Sequence, residues 1–479
     1  MHRISRPPHR QSNLKLRDIW VWASPVRSSG LRILEPIPVE LYLMIFDYIK
    51  PRKDSYEYER TILKRMNDLR NMSLVCRYFC AEILPWLFES LVFHPNLPKG
   101  DTGRNSMSYI PFCRSLNQGE ILAKSLALQV KQCVIRDWLD VLNANAAAAK
   151  AFLNIHMSAL PYMTNLHTIS LSRTRLVPSL LAHIRRLPNL QSLTINCCDF
   201  TEILPKHAQK YASRSKLKSF RLFLGDKEED TVHPPDDLVL KEFLPLVMKL
   251  SKLGTDSWLF MNALFSSDAL PSTLETLEIL SVRDLSILCE YLYRLPALAS
   301  LTIDCGHLAT ENPISLSHLT SLRHLTCLLR LNFAGSHELD SLTLLASDTK
   351  NISLALVNKA WPRVGRLIEL CLPCMLVISI FLDPNSFLAG IRLERLRQLT
   401  VISDDPFLDR REMDHSQGSI GVPAKKGGMM IPAYLEVLMK KIEFPSLDCI
   451  SFRDGKNKDC IWKRKDLGNE WKPVEQEEY

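Results

Sequence analysis

The chain has 479 residues, of which 46% are hydrophobic and 23% are charged, and this balance is typical of a folded globular protein and excludes a fibrous or wholly disordered chain. Its 60 Lys and Arg against 52 Asp and Glu give a net charge of +8, which is too dilute over this length to indicate a nucleic-acid partner. The 13 cysteines lack regular spacing and indicate reduced, mostly buried thiols, so we predict a cytoplasmic location, a nuclear one, or both.

The N-terminal segment, residues 1–34, is basic, with Asp18 as its single acidic residue. It contains no apolar run that could serve as a signal peptide, so we predict a disordered basic tail, with a transit peptide as the alternative. The most apolar segment of the chain, 370–382, is thirteen residues long and contains a proline, whereas a membrane-spanning helix needs about 20 residues. No membrane segment is predicted.

Residues 35–92 carry the apolar spacing of short helices. Pro38 stands where a helix would begin, and Glu40 lies in its first turn, where an acidic side chain is favourable. Leu41 and Ile45 lie one turn apart on a single apolar stripe of this helix.

A charged insertion at 50–66 separates this helix from a second one, which the spacing predicts over 68–83. The short segment 84–88 follows and completes a module of three helices. Three short helices form only a small core, so a module of this kind is often stabilised by docking on another surface. A helical cap on the following domain is the alternative interpretation.

Internal repetition dominates residues 93–455. Two near copies, RLPNLQSLTIN from Arg186 and RLPALASLTID from Arg294, begin 108 residues apart, which is four periods of 27. A period near 27 is typical of leucine-rich repeats. The pattern L-x-x-apolar-x-apolar begins at Leu166, Leu190, Leu217, Leu274, Leu298, Leu322, Leu339, Leu367, Leu396 and Leu447. Two longer intervals leave room for a degenerate repeat, one of them around Leu253.

The repeat unit predicts an α/β solenoid. The third and fifth residues after the first leucine point to one side of a short strand, and parallel strands need a crossover between them. Segments 178–187 and 285–295 have helical apolar spacing, and each ends before a proline. Because one repeat cannot bury its own apolar face, stacked repeats share a core. We therefore predict a curved solenoid with parallel strands on the concave face and helices outside.

Polar segments interrupt and end this array. Segments 225–237 and 403–430 are rich in turn-forming and charged residues, so we predict two long loops. Residues 456–479 are predicted to form a charged C-terminal tail. Within that tail, 456–465 is either a nuclear-localisation patch or an ordinary solvated run of charge.

The helical module resembles an F-box in the order and spacing of three runs of residues. They are Ile37-Pro38-x-Glu40-Leu41-x-x-x-Ile45-Phe46-x-x-Ile49, Met72-Ser73-Leu74-Val75-Cys76-Arg77-x-Phe79, and Pro85-Trp86-Leu87-Phe88. Ile37 departs from the pattern, in which leucine usually precedes the proline, and so does the insertion at 50–66. We accordingly identify 35–92 as an F-box by resemblance.

Together with the repeats, this module resembles F-box proteins with C-terminal leucine-rich repeats, including the divergent fungal set. The resemblance implies the substrate-recognition adaptor of an SCF-type (cullin-RING) ubiquitin ligase, in which other subunits perform catalysis. The implied partners are the Skp adaptor, cullin through it, and an unidentified protein substrate. By the same resemblance, the adaptor-binding residues are Pro38, Leu41, Ile45, Phe46, Leu74, Val75, Cys76 and Trp86. The alternative function is a leucine-rich-repeat scaffold that binds a protein without any ubiquitin-ligase role.

Sequence motifs for catalysis are missing. The chain contains no phosphate-binding glycine loop, no dinucleotide-binding motif and no H-E-x-x-H, so we predict that it is not an enzyme. Cys371 and Cys374 have the C-x-x-C spacing of redox and zinc sites, but they lie in the most apolar stretch without a second such pair. We predict structural thiols there, and no metal, cofactor or small-molecule ligand.

The fourth residue after each first leucine lies between two buried positions, so it points away from the core toward the concave face. We predict that this row binds the protein substrate; its members are Ser170, Thr194, Arg221, Glu278, Thr302, Thr326, Thr343 and Thr400, with Cys371 and Ser451 in the remaining two repeats. A polar, largely uncharged row suits a protein better than phosphate-rich nucleic acid, which favours Arg and Lys. The alternative is that threonine is simply a good strand former on a half-exposed face.

Overall fold

The computed structural model describes the chain over two compact units, Met1–Leu217 with Asp226–Pro235, and Lys218–Gly225 with Asp236–Tyr479. The residues that the structure describes are 27–29, 32–34, 38–49, 59–95, 109–144, 146–225, 235, 237–267, 273–304, 314–316, 318–328, 333–334, 339–345, 366–373, 377, 393–402, 445–453, 459–464 and 471–474. The predicted loop 403–430 lies outside these residues, and so does most of the predicted loop 225–237.

The first unit begins with two short strands and a three-helix module. Strands β1 (Arg27–Ser29) and β2 (Arg32–Leu34) pair antiparallel inside the segment predicted to be a disordered tail. Helices α1, α2 and α3 then span Val39–Ile49, Glu59–Ser73 and Arg77–Leu87. The buried side chains of the module are Tyr42, Phe46, Leu69, Tyr78, Ile83 and Leu87.

The prediction of one helix over 68–83 is wrong, because the chain forms two helices that are separated at residues 74–76. Cys76 has an extended backbone (φ −158°, ψ 167°), and its sulfur accepts a hydrogen bond from Phe79 N–H at 3.5 Å. Cys76 therefore caps the N-terminus of α3. Leu74 and Val75 continue the apolar spacing across the break, which is why the pattern alone does not reveal it. Helix α2 also begins at Glu59, inside the predicted insertion.

Parallel strands follow the module in the first unit. Strands β3 (Ser90–Phe93), β4 (Gln132–Arg136), β5 (Thr168–Ser172) and β6 (Ser192–Asn196) pair in chain order, with Val92, Val134, Ser170 and Thr194 in register. The connecting helices are α4 (Ile110–Gln118), α5 (Ile121–Ala127), α6 (Leu139–Ala144), α7 (Ala146–Ala159), α8 (Pro178–Arg185) and α9 (Pro205–Ala212), with a 3₁₀ turn at Leu160–Tyr162.

The second unit continues the same pattern within itself. Its parallel strands are β7 (Ser219–Phe223), β8 (Lys252–Thr255), β9 (Thr276–Ile279), β10 (Ser300–Ile303), β12 (His324–Leu328), β14 (Ser341–Leu345), β15 (Glu369–Pro373), β16 (Gln398–Ile402) and β17 (Cys449–Arg453). Strands β11 (Ile314–Ser315) and β13 (Phe333–Ala334) pair separately. The described helices are α10 (Asp237–Glu242), α11 (Leu244–Val247), α12 (Trp258–Phe265) and α13 (Leu285–Leu292).

One hydrogen-bond arrangement recurs between successive parallel strands. A single carbonyl just before one strand accepts two N–H groups from the start of the next. In the first unit the carbonyl of Lys131 accepts from His167 at 2.9 Å and Thr168 at 3.2 Å. In the second unit the carbonyl of Arg323 accepts from Asp340 at 2.8 Å and Ser341 at 3.1 Å. The repeats are therefore equivalent in backbone geometry as well as in sequence.

The predicted mixed α/β fold is confirmed, and the strands within each unit are mostly parallel. Each of the ten predicted first leucines lies two residues before a strand, and the suspected degenerate repeat is β8, whose first leucine is Leu250. Segments 178–187 and 285–295 contain α8 and α13, as predicted. Strands β3 and β4 were not predicted, because Phe88 and Val130 take the place of the first leucine there.

The predicted charged C-terminal tail, 456–479, contains two further strands. Strand β18 (Asp459–Arg464) pairs antiparallel with β17, and β19 (Trp471–Val474) pairs antiparallel with β18. Trp462 stands opposite Ile450 in the register and is buried. Burial of the Trp462 ring stabilises this strand. The lysines and arginines that flank Trp462 in the sequence were the reason for predicting a solvated tail. Among the described helices, none is long and apolar enough to cross a membrane.

Candidate functional site

Helix α1 exposes one apolar side, which we call the α1 apolar face: Leu41, Met44, Ile45 and Tyr48. These side chains are between 47% and 72% exposed. Their spacing of three and four residues places them side by side on the helix surface. The opposite side of the helix is buried in the module core through Tyr42 and Phe46. The helix therefore packs against its own module and presents a second apolar surface to the outside.

A second exposed apolar site lies in the turn between α2 and α3. Leu74 is 84% exposed and Val75 is 67% exposed. The backbone of this turn is fixed by hydrogen bonds from Leu74 N–H to Asn71 and from Val75 N–H to Met72, at 3.1 and 3.0 Å. With Cys76 capping the next helix, these bonds hold the backbone of Leu74 and Val75 in place.

The predicted adaptor-binding residues divide into exposed and buried groups. Pro38, Leu41, Ile45, Leu74 and Val75 are exposed, while Cys76 and Trp86 are half-buried. Phe46 is fully buried, with ring centroids 5.0 Å from Phe79 and 6.1 Å from Trp86. Phe46 therefore builds the module core and is not open to a partner, because its side of α1 faces α3. Met44 and Tyr48 belong to the exposed face, and helical spacing from Leu41 identifies them.

The predicted row on the strands lies on the side opposite the buried apolar residues, which we call the open face. Ser170, Thr194, Glu278, Thr302, Thr326 and Thr343 are half-buried there, and Arg221 is exposed. Thr400 is 8% exposed, and its hydroxyl shares a 2.8 Å hydrogen bond with that of Ser451. Thr400 is therefore not available to a partner as predicted. Cys371 is half-buried on β15, and Cys374 lies outside the described residues.

Strand β8 contributes a glycine to this row. Gly254 stands in register between Arg221 on β7 and Glu278 on β9. Arg221 Nη2 lies 3.2 Å from Glu278 Oε2, so the ion pair passes over the glycine. A Cβ at Gly254 would lie 3.0 Å from Arg221 Cγ and 3.1 Å from Glu278 Oε2. The glycine therefore provides the space that the pair occupies.

A second charged group lies in the first unit, at the carboxyl ends of the strands. We call it the basic edge: His94, Arg136 and Arg173 around Asp137. The carboxylate of Asp137 lies 3.4 Å from His94 Nε2, 3.8 Å from Arg136 Nε and 3.9 Å from Arg173 Nε. Asp137 and Arg173 directly follow β4 and β5 and have left-handed backbones, with φ of 61° and 47°. No sequence feature predicted this cluster, because a left-handed backbone is usually marked by a glycine and neither Asp137 nor Arg173 is one.

A buried cysteine–histidine pair joins α4 to α7. Cys113 Sγ lies 3.5 Å from His156 Nδ1, and the imidazole stacks on Phe93 with centroids 4.4 Å apart. Burial lowers the pKa of His156 to about 4 and raises the pKa of Cys113 to about 12. Both groups are therefore neutral at physiological pH, and the pair is part of the core. Over the part of the chain that the structure describes, no group of three or more His, Cys, Asp or Glu residues is placed to hold a metal ion.

No protein-family model matches the sequence, and no curated protein matches it. Among solved structures, the chain is similar to the crystal structure of a TLR13–ssRNA13 complex, with 15% identity and a TM-score of 0.31. That match covers 58% of this chain and 40% of the other. A likeness at this level carries no argument about the fold or the ligand.

Proposed function

We propose that this protein is the substrate-recognition adaptor of an SCF-type ubiquitin ligase and is not itself an enzyme. In this proposal the three-helix module is an F-box that docks on the Skp adaptor and, through it, on cullin. The strands and helices behind it form a curved leucine-rich-repeat solenoid, whose open face is concave and holds a protein substrate.

The α1 apolar face is the observation that carries the proposal. Single exposed apolar residues are common on protein surfaces, but a set at helical spacing on one side of one helix is characteristic of a docking surface. Fully burying a side chain of this kind contributes about 1.5–3 kcal/mol, and the four members are now roughly half exposed or more. Covering them by a partner would therefore stabilise a complex substantially.

The connection between the module and the first strands also supports the proposal. Helix α3 ends at Leu87 and strand β3 begins at Ser90, so Phe88 lies between them. Phe88 packs against the module core, and its ring centroid lies 6.3 Å from that of Tyr109 and 4.9 Å from that of Phe112. This packing fixes the orientation of the following strands relative to the module. An adaptor requires such a fixed orientation to position a substrate.

Affinity purification of the tagged full chain tests the proposal. We expect the Skp adaptor and cullin to co-purify with the wild-type chain. Leu41→Asp or Ile45→Asp should remove both, because burying an unpaired carboxylate in an apolar contact is costly. Co-purification of the adaptor with both variants at the wild-type level would contradict the proposed docking face. A wild-type chain that captures a protein partner but neither subunit would support the scaffold function instead.

A further inference from the structure

Basic residues are concentrated on and around helices α8 and α9 of the first unit. Residues 178–217, which the structure describes without a gap, contain six Lys and Arg against two Asp and Glu, a net charge of +4 out of the chain's +8. Both acidic side chains pair with cations outside this stretch, Asp199 with Arg175 at 2.8 Å and Glu202 with Lys150 at 3.9 Å. The charge that is dilute over the whole chain is therefore locally dense.

Helix α9 and the residues just after it carry three exposed cations, which we call the α9 basic row: Lys206, Lys210 and Arg214. Successive members are four residues apart, which is about one helical turn, so they lie on one side of the helix. The helical geometry continues as far as the third member, because Arg214 N–H donates to the Tyr211 carbonyl at 3.2 Å. The other side of α9 is buried through Ala208 and Tyr211. The row therefore faces solvent.

The end of helix α8 adds two cations beside this row. Arg185 Nη1 donates a hydrogen bond to the Lys210 carbonyl at 3.1 Å, which places the end of α8 against the last turn of α9. Arg186 is the next residue along the chain and is exposed. Over the described residues, none of these two side chains and the three of the row has a carboxylate within ion-pair distance. All five positive charges are therefore uncompensated.

The stability of helix α9 does not account for this row. Lysines four residues apart on a helix repel each other, as Lys206 and Lys210 do. Lys206 also lies in the first turn of α9, where a positive charge opposes the helix dipole. A partner that places negative charge along the row would relieve both effects.

We propose that the α9 basic row binds an acidic helical segment of a partner protein. A helix with Glu or Asp at every fourth position matches the row, because its carboxylates repeat at the same interval of about 5–6 Å. The guanidinium of Arg186 can bind one further carboxylate through two parallel hydrogen bonds. This surface lies on helices, on the side of the strands opposite the open face. It is therefore additional to the proposed substrate surface and does not depend on the proposed function.

An acidic protein suits this surface better than a nucleic acid or a membrane does. Proteins that bind single-stranded nucleic acid stack its bases on exposed aromatic side chains, whereas Phe200 and Tyr211, the aromatic residues of 178–217, are buried. A helix that lies on a membrane inserts its apolar face, whereas the apolar side of α9 is packed inside the unit. The contact that remains is charge alone, which Asp and Glu side chains complement.

Fluorescence polarisation on the purified full chain in low-salt buffer tests the proposal. The probe is a labelled sixteen-residue peptide of repeated Glu-Ala-Ala-Gln, which we expect to bind and to weaken with added salt, because exposed charges are screened. The variant Lys206→Glu/Lys210→Glu should bind it about tenfold more weakly or worse. The control Arg114→Glu/Lys124→Glu, with the same change of charge at exposed positions of α4 and α5, should stay within about twofold. Equal affinities of these two variants would overturn the proposal, and so would no binding by the wild type.

A milder variant separates docking from folding. Lys206→Gln/Lys210→Gln removes the repulsion within the row, so it should weaken peptide binding while keeping or raising the melting temperature. Wild-type affinity in this variant would contradict the proposal. It would also fail if the wild type bound equally well a peptide with glutamine at every glutamate position, or one of the same composition with consecutive glutamates.

Tighter binding of an oligonucleotide or of phosphatidylserine vesicles than of the peptide would assign the row to a different partner and overturn the proposal. The variant Leu41→Asp/Ile45→Asp of the α1 apolar face should bind the peptide as the wild type does. This inference and the proposed function can therefore fail separately.

Discussion

Arg221 and Glu278 form an ion pair across the open face of strand β8, and the residue beneath them is Gly254. Their strands are not neighbours, so the pair passes over the glycine of the strand between them, where a side chain would force both partners to shift. The Cβ that any other residue would bring lies at 3.0–3.1 Å from both side chains. The ion pair thus couples strands β7 and β9 across the glycine of β8.

The first prediction concerns this coupling. Gly254→Ala should displace the ion pair and lower the stability. In an Arg221→Ala/Glu278→Ala background the same change should be less destabilising, because the new Cβ then meets only the ring of Phe223, whose Cζ lies 3.3 Å away. Thermal unfolding of the four proteins gives the interaction energy, which we expect to be about 0.5–1 kcal/mol. Strict additivity of the changes would show that the pair does not depend on the glycine.

Helix α3 offers a matched pair of substitutions at its cap. Cys76→Ser should keep or raise the melting temperature, since a hydroxyl is a better acceptor at a helix N-terminus than a thiol. Cys76→Ala should lower it by the equivalent of about 1 kcal/mol, because it leaves Phe79 N–H without its present acceptor. Unfolding monitored by circular dichroism checks both. Equal melting temperatures for the two variants would mean that the sulfur does not cap the helix.

His156 makes the stability of the first unit dependent on pH. Its pKa is lowered to about 4 by burial, while the unfolded chain takes up the proton near 6.5. The unfolded state therefore binds more protons between these values, so the free energy of unfolding falls as the pH drops from 6.5 toward 4 and then levels off. The full loss is roughly 3 kcal/mol.

Urea unfolding of the wild type and of His156→Phe between pH 4 and 7.5 tests this dependence. Carboxylates titrate in both proteins, so the difference between the two curves isolates the histidine. We expect the free energy of unfolding of the wild type to fall relative to that of His156→Phe as the pH drops from 6.5 toward 4. Parallel curves would mean that His156 remains neutral, or becomes charged, equally in both states.

The repeats could be predicted from the sequence because their leucines recur at a regular spacing. A leucine two residues before the strand and buried apolar positions within it recur in most of the parallel strands of both units. Strands β3 and β4 were not predicted, because Phe88 and Val130 occupy the position of the first leucine there. Hydrophobicity at that position, rather than leucine itself, is what the packing requires.

Other features of the structure depend on backbone geometry that residue types do not reveal. The break at Cys76 interrupts an apolar stripe that looks continuous, and Asp137 and Arg173 of the basic edge adopt left-handed backbones without being glycines. Likewise, the resemblance to an F-box assigns Phe46 to the contact, whereas its side of the helix packs inward. Helical spacing alone separates that buried side from the exposed side that includes Met44 and Tyr48.

Direct titration of the purified full chain with purified Skp adaptor tests the central claim most directly. The informative variant is Leu41→Asp/Ile45→Asp, and its matched control is Ile121→Asp/Leu122→Asp on helix α5, where the two side chains are similarly exposed. Calorimetry should detect saturable one-to-one binding for the wild type and the control, and a loss of at least about a hundredfold in affinity for the α1 variant. Equal affinity of the α1 variant and the control, or no binding by the wild type, would contradict the account.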